Sequence, residues 1–249
     1  MGSDGILKNK RRRIKELKNV TKRQRLDPKL FKRLPAEIQK DTSLLKYWRS
    51  RYRLFKKYDQ GIKLDSESWY SATPEVISRM IAERCTCDLI IDGFCGAGSN
   101  SIQFALTSKK VIAIDIDPIK IELAQNNAKV YGVSDRIEFI IGDYYALAPT
   151  LKADVVFLAP PWGGPKYSQK TTFNIDDIMP SNGGGKHLYE LTRQITKNIA
   201  FFLPKNIEHK QCISLAGPGN LAEIESNYLN NRLNSKTLYY GDLISIKDK

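Results

Sequence analysis

The chain is poor in the residues and runs that mark several broad protein classes. Its four cysteines, at positions 85, 87, 95 and 212, do not make a disulfide framework, and no second pair or histidine completes a zinc site around Cys85 and Cys87. No stretch reaches the roughly 20 apolar residues of a membrane-spanning helix, and the first thirty residues are too rich in Lys and Arg for a signal peptide. We therefore expect an intracellular protein with reduced thiols, no metal and no membrane association.

Acidic residues are scarce near the N-terminus, where the positive charge is concentrated. Residues 1–63 hold 21 Lys and Arg against 6 Asp and Glu, whereas the remaining 186 residues hold 19 against 21. Such a cationic block attracts polyanions by releasing their counterions, without selecting a sequence. The clusters Lys8–Arg13 and Lys22–Arg25 are typical of nuclear-localisation or RNA-contact segments, with a solvated tail as the alternative. Residues 1–43 are assigned to a basic N-terminal tail that is partly disordered.

The next segment, LLKYWRSRYRLFKKY at residues 44–58, mixes aromatic residues with Arg and Lys. Apolar residues recur every three to four positions, at Leu45, Trp48, Tyr52 and Phe55. This spacing predicts an amphipathic basic helix whose apolar stripe packs on the body while its cations face phosphates; a helix on a membrane surface is the weaker alternative. Residues 44–72 are assigned to a helical extension and a flap over the active site.

From residue 73 onward, strands alternate with helices. We expect a helix that has Thr73 as its N-cap, Pro74 as its first residue and Ala82 near its end. Short apolar runs predict four strands, at Asp88–Asp92, Val111–Ile116, Arg136–Ile141 and Ala153–Leu158. Helices are predicted between them, at Ile102–Leu106 and Pro118–Tyr131. The alternation predicts an α/β domain over residues 73–249, with a doubly wound, mostly parallel sheet that binds ligands at the carboxyl ends of its strands.

The loops after the first three strands carry groups that suit a nucleoside cofactor. The first strand runs into the small residues of DGFCGAG, which let the backbone approach a ligand closely; this is GxG without the third glycine of the dinucleotide fingerprint. The second strand ends in Asp115, whose carboxylate can take both hydroxyls of a ribose. The third ends in Gly142 and Asp143, where an adenine amino group could be bound. Three such strand ends in succession indicate a nucleoside-cofactor site.

The loop after the fourth strand is the sequence APPWGGP, starting at Ala159. Its paired prolines fix the backbone while exposing a carbonyl and the aromatic face of Trp162. A rigid turn with a packed Trp would account for the same residues.

With these loops, the sequence resembles the S-adenosylmethionine-dependent class I methyltransferases, whose fold is Rossmann-like, and in particular the trimethylguanosine synthase family of RNA cap guanosine-N2 methyltransferases. The resemblance covers about residues 44–244 and rests on long strings: KYWRSRYRLF, GIKLDSESWYSATPE, DGFCGAGSNSIQFAL, VIAIDIDPIKIELAQNNAKVYGV, FLAPPWGGPKY, FFLPKN and SLAGPG. It implies two successive methyl transfers to the exocyclic 2-amino group of a 7-methylguanosine cap. The implied partners are capped small nuclear and small nucleolar RNAs and the core spliceosomal ring proteins, in the nucleus and its nucleolus.

The resemblance also implies roles for individual residues. S-adenosyl-L-methionine would contact Asp92, Gly96, Gly98, Asp115, Asp143 and Thr73. The last of these belongs to the segment WYSATP at residues 69–74, which resembles the family's flap over the cofactor. Trp162 would stack on the 7-methylguanine base, whose positive charge a Trp face attracts, and the cap phosphates would meet Lys63, Tyr167 and Lys205. The transfer itself would take place at Ala159, Pro160 and Trp162.

One residue departs from the family pattern. Ala159 stands where relatives have Ser, Asn or Asp, so a backbone carbonyl of Ala159 or Pro160 must hold the amine instead. We expect activity to persist, with catalysis by positioning and no dedicated base. Three alternatives remain: an amino-methyltransferase for another nucleic-acid base, a catalytically inactive cap-binding adaptor, and a dinucleotide oxidoreductase, which the missing third glycine disfavours.

Overall fold

The computed structural model describes residues 34–164 and 170–245. The basic clusters at residues 8–13 and 22–25, and the predicted phosphate contact Tyr167, lie outside the described residues. The chain divides into two compact units, residues 1–45 and 46–249, which are described separately. The described part of the first unit contains a short helix, α1 (Ala36–Lys40), and a 3-10 turn, Thr42–Leu44, at which the Asp41 carboxylate accepts a hydrogen bond from Ser43 N (2.9 Å).

The second unit is built on one seven-stranded sheet. Its strands are β1 (Leu89–Asp92), β2 (Lys110–Asp115), β3 (Ile137–Ile141), β4 (Val155–Leu158), β5 (Ile199–Pro204), β6 (Glu223–Leu229) and β7 (Arg232–Tyr239). The order is β3-β2-β1-β4-β5-β7-β6; the first five strands are parallel, and β7 is antiparallel to both of its neighbours. The mostly parallel α/β architecture confirms the predicted fold class. The first four strands match the predicted runs to within two residues, and the sequence pattern had not revealed the other three.

Helices connect the strands and cover the sheet. They are α2 (Leu45–Trp48), α3 (Arg51–Leu54), α4 (Ser68–Ser71), α5 (Glu75–Arg84), α6 (Ser99–Thr107), α7 (Pro118–Tyr131), α8 (Tyr144–Leu147), α9 (Gly184–Thr192) and α10 (His209–Ser214). The two inner strands β4 and β5 are buried along their whole length, as expected for parallel strands covered on both faces. Among the described residues, no helix has the length and apolar character needed to cross a membrane.

The predicted continuous helix over residues 44–58 is wrong. The segment forms the two short helices α2 and α3, interrupted at Ser50, whose backbone (φ −106°, ψ 14°) lies outside the helical region. The interruption changes which side chains are buried: Phe55 of the predicted apolar stripe is buried as expected, whereas Tyr52 of the stripe is 46% exposed and Leu54, outside the stripe, is buried. Serine favours such a break because its side chain competes for backbone hydrogen bonds outside helices.

The start of helix α5 also differs from the prediction. Pro74, not Thr73, is its N-cap, and Glu75 is its first residue. The Thr73 hydroxyl is engaged elsewhere, because Thr73 Oγ1 accepts a hydrogen bond from Asn100 Nδ2 (3.1 Å). Thr73 is therefore a contact between the flap and α6 rather than a helix cap.

Two side chains of α7, Asn127 and Lys120, fasten the extension to this helix. The Asn127 carboxamide accepts a hydrogen bond from Lys63 N (2.8 Å) and donates to Lys63 O (3.0 Å) and Ala97 O (2.9 Å). Lys120, which is 7% exposed, binds Asp65 (2.7 Å) and Glu67 (3.2 Å). The segment before the flap is thus fastened to the same helix that contacts the loop after β1.

Replacing Asn127 tests this fastening. Asn127→Ala leaves Lys63 N and two carbonyl oxygens without partners in a buried site, so we expect the free energy of unfolding to fall by about 3 kcal/mol in urea denaturation. Asn220→Ala is the control, because Asn220 is exposed and bonds only locally, to Pro218 O. Equal stability of the two variants would contradict the assigned role.

Candidate active site at the carboxyl edge of the sheet

Because β1 to β5 are parallel, their carboxyl ends lie along one edge of the sheet. This edge brings together six predicted site residues that the sequence spreads over nearly 70 positions: Asp92, Gly96, Gly98, Asp115, Asp143 and Ala159. The order β3-β2-β1-β4 places the glycine-rich loop after β1 between the end of β2 and the end of β4. This is the crevice in which open α/β sheets bind their ligands.

Asp115 shapes the glycine-rich loop. Its Oδ2 accepts a hydrogen bond from Gly96 N (2.8 Å), and its Oδ1 accepts one from Asp117 N (3.0 Å). Burial raises the pKa of the Asp115 carboxyl. Each carboxylate oxygen keeps a second lone pair, so these bonds orient the group and leave it able to accept from ligand hydroxyls.

Glycine suits positions 96 and 98 of the loop for different structural reasons. Gly98 (φ +83°) lies against α7, and a Cβ there would be 3.1 Å from Ala124 Cα and Cβ. Gly96 (φ +52°) faces open space, and a Cβ at this position would have no atom within 4 Å. Gly98 therefore permits the packing of loop against helix, whereas Gly96 leaves room on the ligand side.

Asp92, the last residue of β1, is fully buried. Its Oδ2 accepts a hydrogen bond from Ser101 Oγ (2.6 Å), and its Oδ1 has no partner among the described residues. Burial raises the pKa of this carboxyl to about 7. A buried acceptor without a donor is costly, so it suits a site where a ligand completes the hydrogen bonding.

The end of β3 lies next to the end of β2. Asp143 Oδ1 accepts a hydrogen bond from Tyr145 N (2.9 Å) and so caps the short helix α8. Ile116, directly after Asp115, is 69% exposed, and Ile141 is 59% exposed. These apolar side chains at the edge suit an aromatic ring of a ligand. Ile116 was not among the site residues predicted from the sequence, although an isoleucine immediately after a strand-ending acid was an available signal.

The flap and Lys63 lie beside the same loop. Thr73 N donates to Ser99 Oγ (3.2 Å) at the first residue of α6, so the flap borders the end of the glycine-rich loop. Lys63 is joined to Ala97 through the Asn127 carboxamide, and its side chain is exposed. The structure thus brings both predicted residues to the carboxyl edge.

The loop after β4 presents a carbonyl and an indole. Phe157 O accepts a hydrogen bond from Gly93 N (3.0 Å) and so faces β1, and Ala159 follows directly after the last residue of β4, Leu158. No described residue donates a hydrogen bond to Ala159 O. Trp162 packs on Phe202 with ring centroids 5.4 Å apart and planes 31° from each other. Trp162 is therefore packed, as a rigid turn with a buried Trp would have it, and also partly exposed, as a ligand-facing indole would have it.

Two lysines, Lys205 and Lys236, lie near the end of β5. Lys205 follows the strand and is exposed. Lys236 of β7 pairs in register with Leu203, is only 8% exposed, and contacts His209 Nε2 through its Nζ. Lys236 was not predicted from the sequence, because only the antiparallel pairing of β7 with β5 brings it to this edge.

Comparison with known proteins supports the class that the fold and site define. The solved structure of a presumed methyltransferase from Porphyromonas gingivalis W83 is similar with a TM-score of 0.59 over 85% of this chain and 52% of that one, at 14% sequence identity. Such a likeness shows the fold alone. The sheet order and the glycine-rich loop at its switch point are those of a class I methyltransferase, and the cofactor of this class is S-adenosyl-L-methionine.

Sequence similarity gives the family. Residues 87–242 match the profile of the RNA cap guanine-N2 methyltransferases. The trimethylguanosine synthase of Schizosaccharomyces pombe is 42% identical over 179 residues, covering 68% of this chain and 74% of that protein; the one from Saccharomyces cerevisiae is 36% identical over 183 residues, covering 69% and 58%. The chain belongs to the RNA cap guanine-N2 methyltransferase family. It is an S-adenosylmethionine-dependent enzyme that methylates N2 of the cap guanine, as the sequence resemblance implied.

The residues present fit the cofactor of this family. The orphaned Asp92 Oδ1, the space beside Gly96 and the exposed Ile116 offer an acceptor, a close backbone approach and an apolar surface along one edge. These features suit a ligand that combines amino, ribose and adenine groups.

Alanine substitutions should separate the two glycines. Gly98→Ala forces both a strained φ and a close contact with Ala124, so we expect it to lower the free energy of unfolding by about 2–4 kcal/mol. Gly96→Ala should cost only about 1 kcal/mol but weaken binding of S-adenosylhomocysteine, measured by calorimetry, because its methyl group occupies the ligand side. If Gly96→Ala binds the ligand like wild type, the cofactor lies elsewhere.

The raised pKa of Asp92 predicts a pH-dependent stability. Between the ordinary pKa of 3.8 and about 7, the folded ligand-free chain retains a proton that the unfolded chain has lost, so this carboxyl's contribution to stability falls as pH rises through that range. Asn does not titrate and keeps an acceptor for Ser101. We therefore expect Asp92→Asn to gain stability relative to wild type by about 3 kcal/mol between pH 5 and pH 8.

Urea denaturation of both proteins at several pH values measures this difference. Asp88→Asn is the control, because Asp88 is exposed just before the same strand. A difference between Asp92→Asn and wild type that stays constant with pH would show that the carboxyl is ionised throughout.

Proposed function

We propose that the chain adds two methyl groups in succession to N2 of a 7-methylguanosine cap, giving a 2,2,7-trimethylguanosine cap. The observation that carries the proposal is the arrangement after β4: a backbone carbonyl at Ala159 to which no described residue donates, in the loop next to the glycine-rich loop and three residues before a partly exposed Trp162. A carbonyl can hold an exocyclic amine while the indole stacks on the base that carries it. The names of the two yeast relatives support the same product.

In this proposal, the first three strand ends bind the cofactor. Asp92, Gly96 and Gly98 form the loop side of the site, with Thr73 closing it from the flap. Asp115 accepts from the ribose hydroxyls, Asp143 lies near the adenine, and Ile116 adds an apolar contact to the ring. The spacing supports these roles because one continuous edge presents all of these residues.

The fourth and fifth strand ends bind the cap. Trp162 stacks on the 7-methylguanine base, whose positive charge strengthens the contact by roughly 0.5–2 kcal/mol. Lys205 and Lys63 contact the phosphates, and Lys236 adds a cation at the end of β5. Tyr167, the remaining expected phosphate contact, lies outside the described residues.

In this proposal, catalysis comes from positioning the cap amine in line with the methyl group of the cofactor. S-adenosyl-L-methionine supplies an electrophilic methyl group on a sulfonium. The protein holds the amine in place. The carbonyls of Ala159 and Pro160 accept hydrogen bonds that the N–H groups of the amine donate, and this orientation directs the nitrogen lone pair toward the glycine-rich loop. Alignment of two reactants can contribute on the order of 7–11 kcal/mol. As the nitrogen–carbon bond forms, the carbon–sulfur bond would break and leave S-adenosylhomocysteine. No side-chain base is needed, because the methylated nitrogen is strongly acidic and releases its proton to water. Ala159 therefore acts through its backbone, and its lack of a side-chain oxygen is compatible with activity.

The RNA substrates and location form a second part of the proposal. We infer that the capped RNAs are small nuclear and small nucleolar RNAs, that core spliceosomal ring proteins deliver some of them, and that the chain works in the nucleus and nucleolus. The support is the excess of 21 Lys and Arg over 6 Asp and Glu in residues 1–63, which suits a polyanionic partner. Residues 1–43, 44–72 and 73–249 would then be the RNA-binding tail, the extension with its flap, and the methyltransferase domain.

Mass spectrometry of the products tests the function directly. The purified chain, incubated with S-adenosylmethionine, should add first one and then two methyl groups to 7-methyl-GTP and none to GTP. Trp162→Ala should raise KM for 7-methyl-GTP about tenfold or more, since stacking and the cation contact are both lost. Trp48→Phe, in helix α2 of the extension and beneath the guanidinium of Arg51 (4.4 Å), should leave KM unchanged.

The same assay separates the alternatives. Binding of 7-methyl-GTP without methyl transfer would favour a cap-binding adaptor. Methylation of adenine in RNA or DNA would favour an enzyme for another base.

A further inference from the structure

A small basic aromatic surface lies next to the flap and has no role in the site described above. Lys46, Tyr47 and Tyr70 form it, and we call it the platform. The rings of Tyr47 and Tyr70 have centroids 6.4 Å apart and planes at 52°, and Lys46 Nζ lies 4.7 Å from the centroid of Tyr47. Tyr70 is 37% exposed, and the Lys46 side chain is exposed as well.

Neighbouring aromatic residues of the extension serve packing instead. Trp69, adjacent to Tyr70 in α4, is 1% exposed and lies 5.5 Å from the ring of Tyr58. Phe55 is 2% exposed and meets the edge of Tyr131 at 6.3 Å. The core of the extension is complete without the platform, so packing alone does not explain two adjoining tyrosines at the surface.

The charges around the platform favour a polyanion. Residues 46–58 contain six cations and no acid. Arg51 and Lys56 are paired with Asp59 and Glu75 at 3.4 and 3.8 Å. Within the described ranges, the other four cations have no carboxylate partner: Lys46, Arg49, Arg53 and Lys57.

Two acids near Tyr70 in sequence share one cation. Asp65 and Glu67 both pair with the largely buried Lys120, at 2.7 and 3.2 Å, so one negative charge remains between them. The four cations of residues 46–58 that have no carboxylate partner outnumber this charge. Cations together with rings that are at least partly exposed are the combination that binds single-stranded nucleic acid, with bases on the rings and phosphates on the cations.

The platform adjoins the active site through the flap. Tyr70 is three residues before Thr73, which is held at the start of α6 by Ser99 and Asn100. Lys63, the proposed phosphate contact, belongs to the same extension and is fixed beside the glycine-rich loop. The platform and the proposed phosphate contact Lys63 therefore belong to one segment, and an RNA bound at Lys63 has the platform as a neighbouring surface.

We propose that the platform stacks on the bases of the first nucleotides after the cap, while Lys46 contacts a phosphate between them. The inference rests on the proposed function, since it assigns the substrate as a capped RNA chain rather than a free cap nucleotide. Stacking on a tyrosine accepts any base, so the platform adds affinity without choosing a sequence.

Binding of two ligands tests the platform. We would measure, by fluorescence anisotropy, the Kd of an unstructured ten-nucleotide RNA with a 7-methylguanosine cap, and by competition that of 7-methyl-GTP. Tyr47→Leu combined with Tyr70→Leu should weaken binding of the capped RNA about tenfold and change that of 7-methyl-GTP less than twofold. Tyr47→Phe combined with Tyr70→Phe should bind like wild type, because the stacking faces remain. Tyr228→Leu is the matched control, since Tyr228 on the edge strand β6 is 59% exposed.

Salt dependence gives a second readout. Lys46→Gln should lower the slope of log Kd against log salt for the capped RNA by about one, and should leave the slope for 7-methyl-GTP unchanged. Thermal melting of every variant checks that the fold is kept.

Three results would overturn the proposal that the platform binds the RNA chain. One is unchanged affinity of the double leucine variant for the RNA; another is an equal loss with 7-methyl-GTP, which would place the tyrosines in the cap site. The third is binding of wild type, but not of the double leucine variant, to phosphatidylserine vesicles with unaltered RNA affinity. Failure of the proposed function is distinct, because wild type would then not methylate 7-methyl-GTP at all.

Discussion

The carboxamide of Asn127 holds together the parts on which this active site depends. It binds the backbone of Lys63 on one side and Ala97 O of the glycine-rich loop on the other, across 64 and 30 positions of sequence. A carboxamide can do this because it offers donors and an acceptor in one fixed plane. As a result, the extension that leads to the flap and the loop proposed to bind the cofactor are fixed relative to each other by one buried side chain.

The order of the strands separates the two halves of the proposed site. The proposed cofactor groups lie at the ends of β1, β2 and β3, the proposed substrate groups lie at the ends of β4 and β5, and the glycine-rich loop lies between the ends of β2 and β4. Two carboxylates at this edge, the buried Asp92 and the partly buried Asp115, have pKa values that burial raises. Perturbed pKa values of this kind cluster at functional sites.

In the proposed mechanism, Ala159 acts through its backbone. A Pro-Pro turn has few accessible conformations, so the carbonyl of the residue before it has a well-defined direction without help from a side chain. The proposed platform would act on a different part of the substrate. Transfer to a free cap nucleotide would not need it, so only a longer RNA substrate would reveal its contribution.

The sequence by itself determined the class of fold, the family and the positions of the main loops. Alternating apolar runs and helix patterns predict β1 to β4 because parallel buried strands are short and nearly all apolar, and strings such as FLAPPWGGPKY are specific enough to indicate the family. Only the tertiary structure decided three other features. The predicted basic helix is interrupted at Ser50, and Leu54 is buried where the predicted stripe had Tyr52. Thr73 bonds to Asn100 rather than capping a helix. Lys236 reaches the active-site edge through antiparallel pairing with β5, a contact between residues over 30 positions apart that no local pattern encodes.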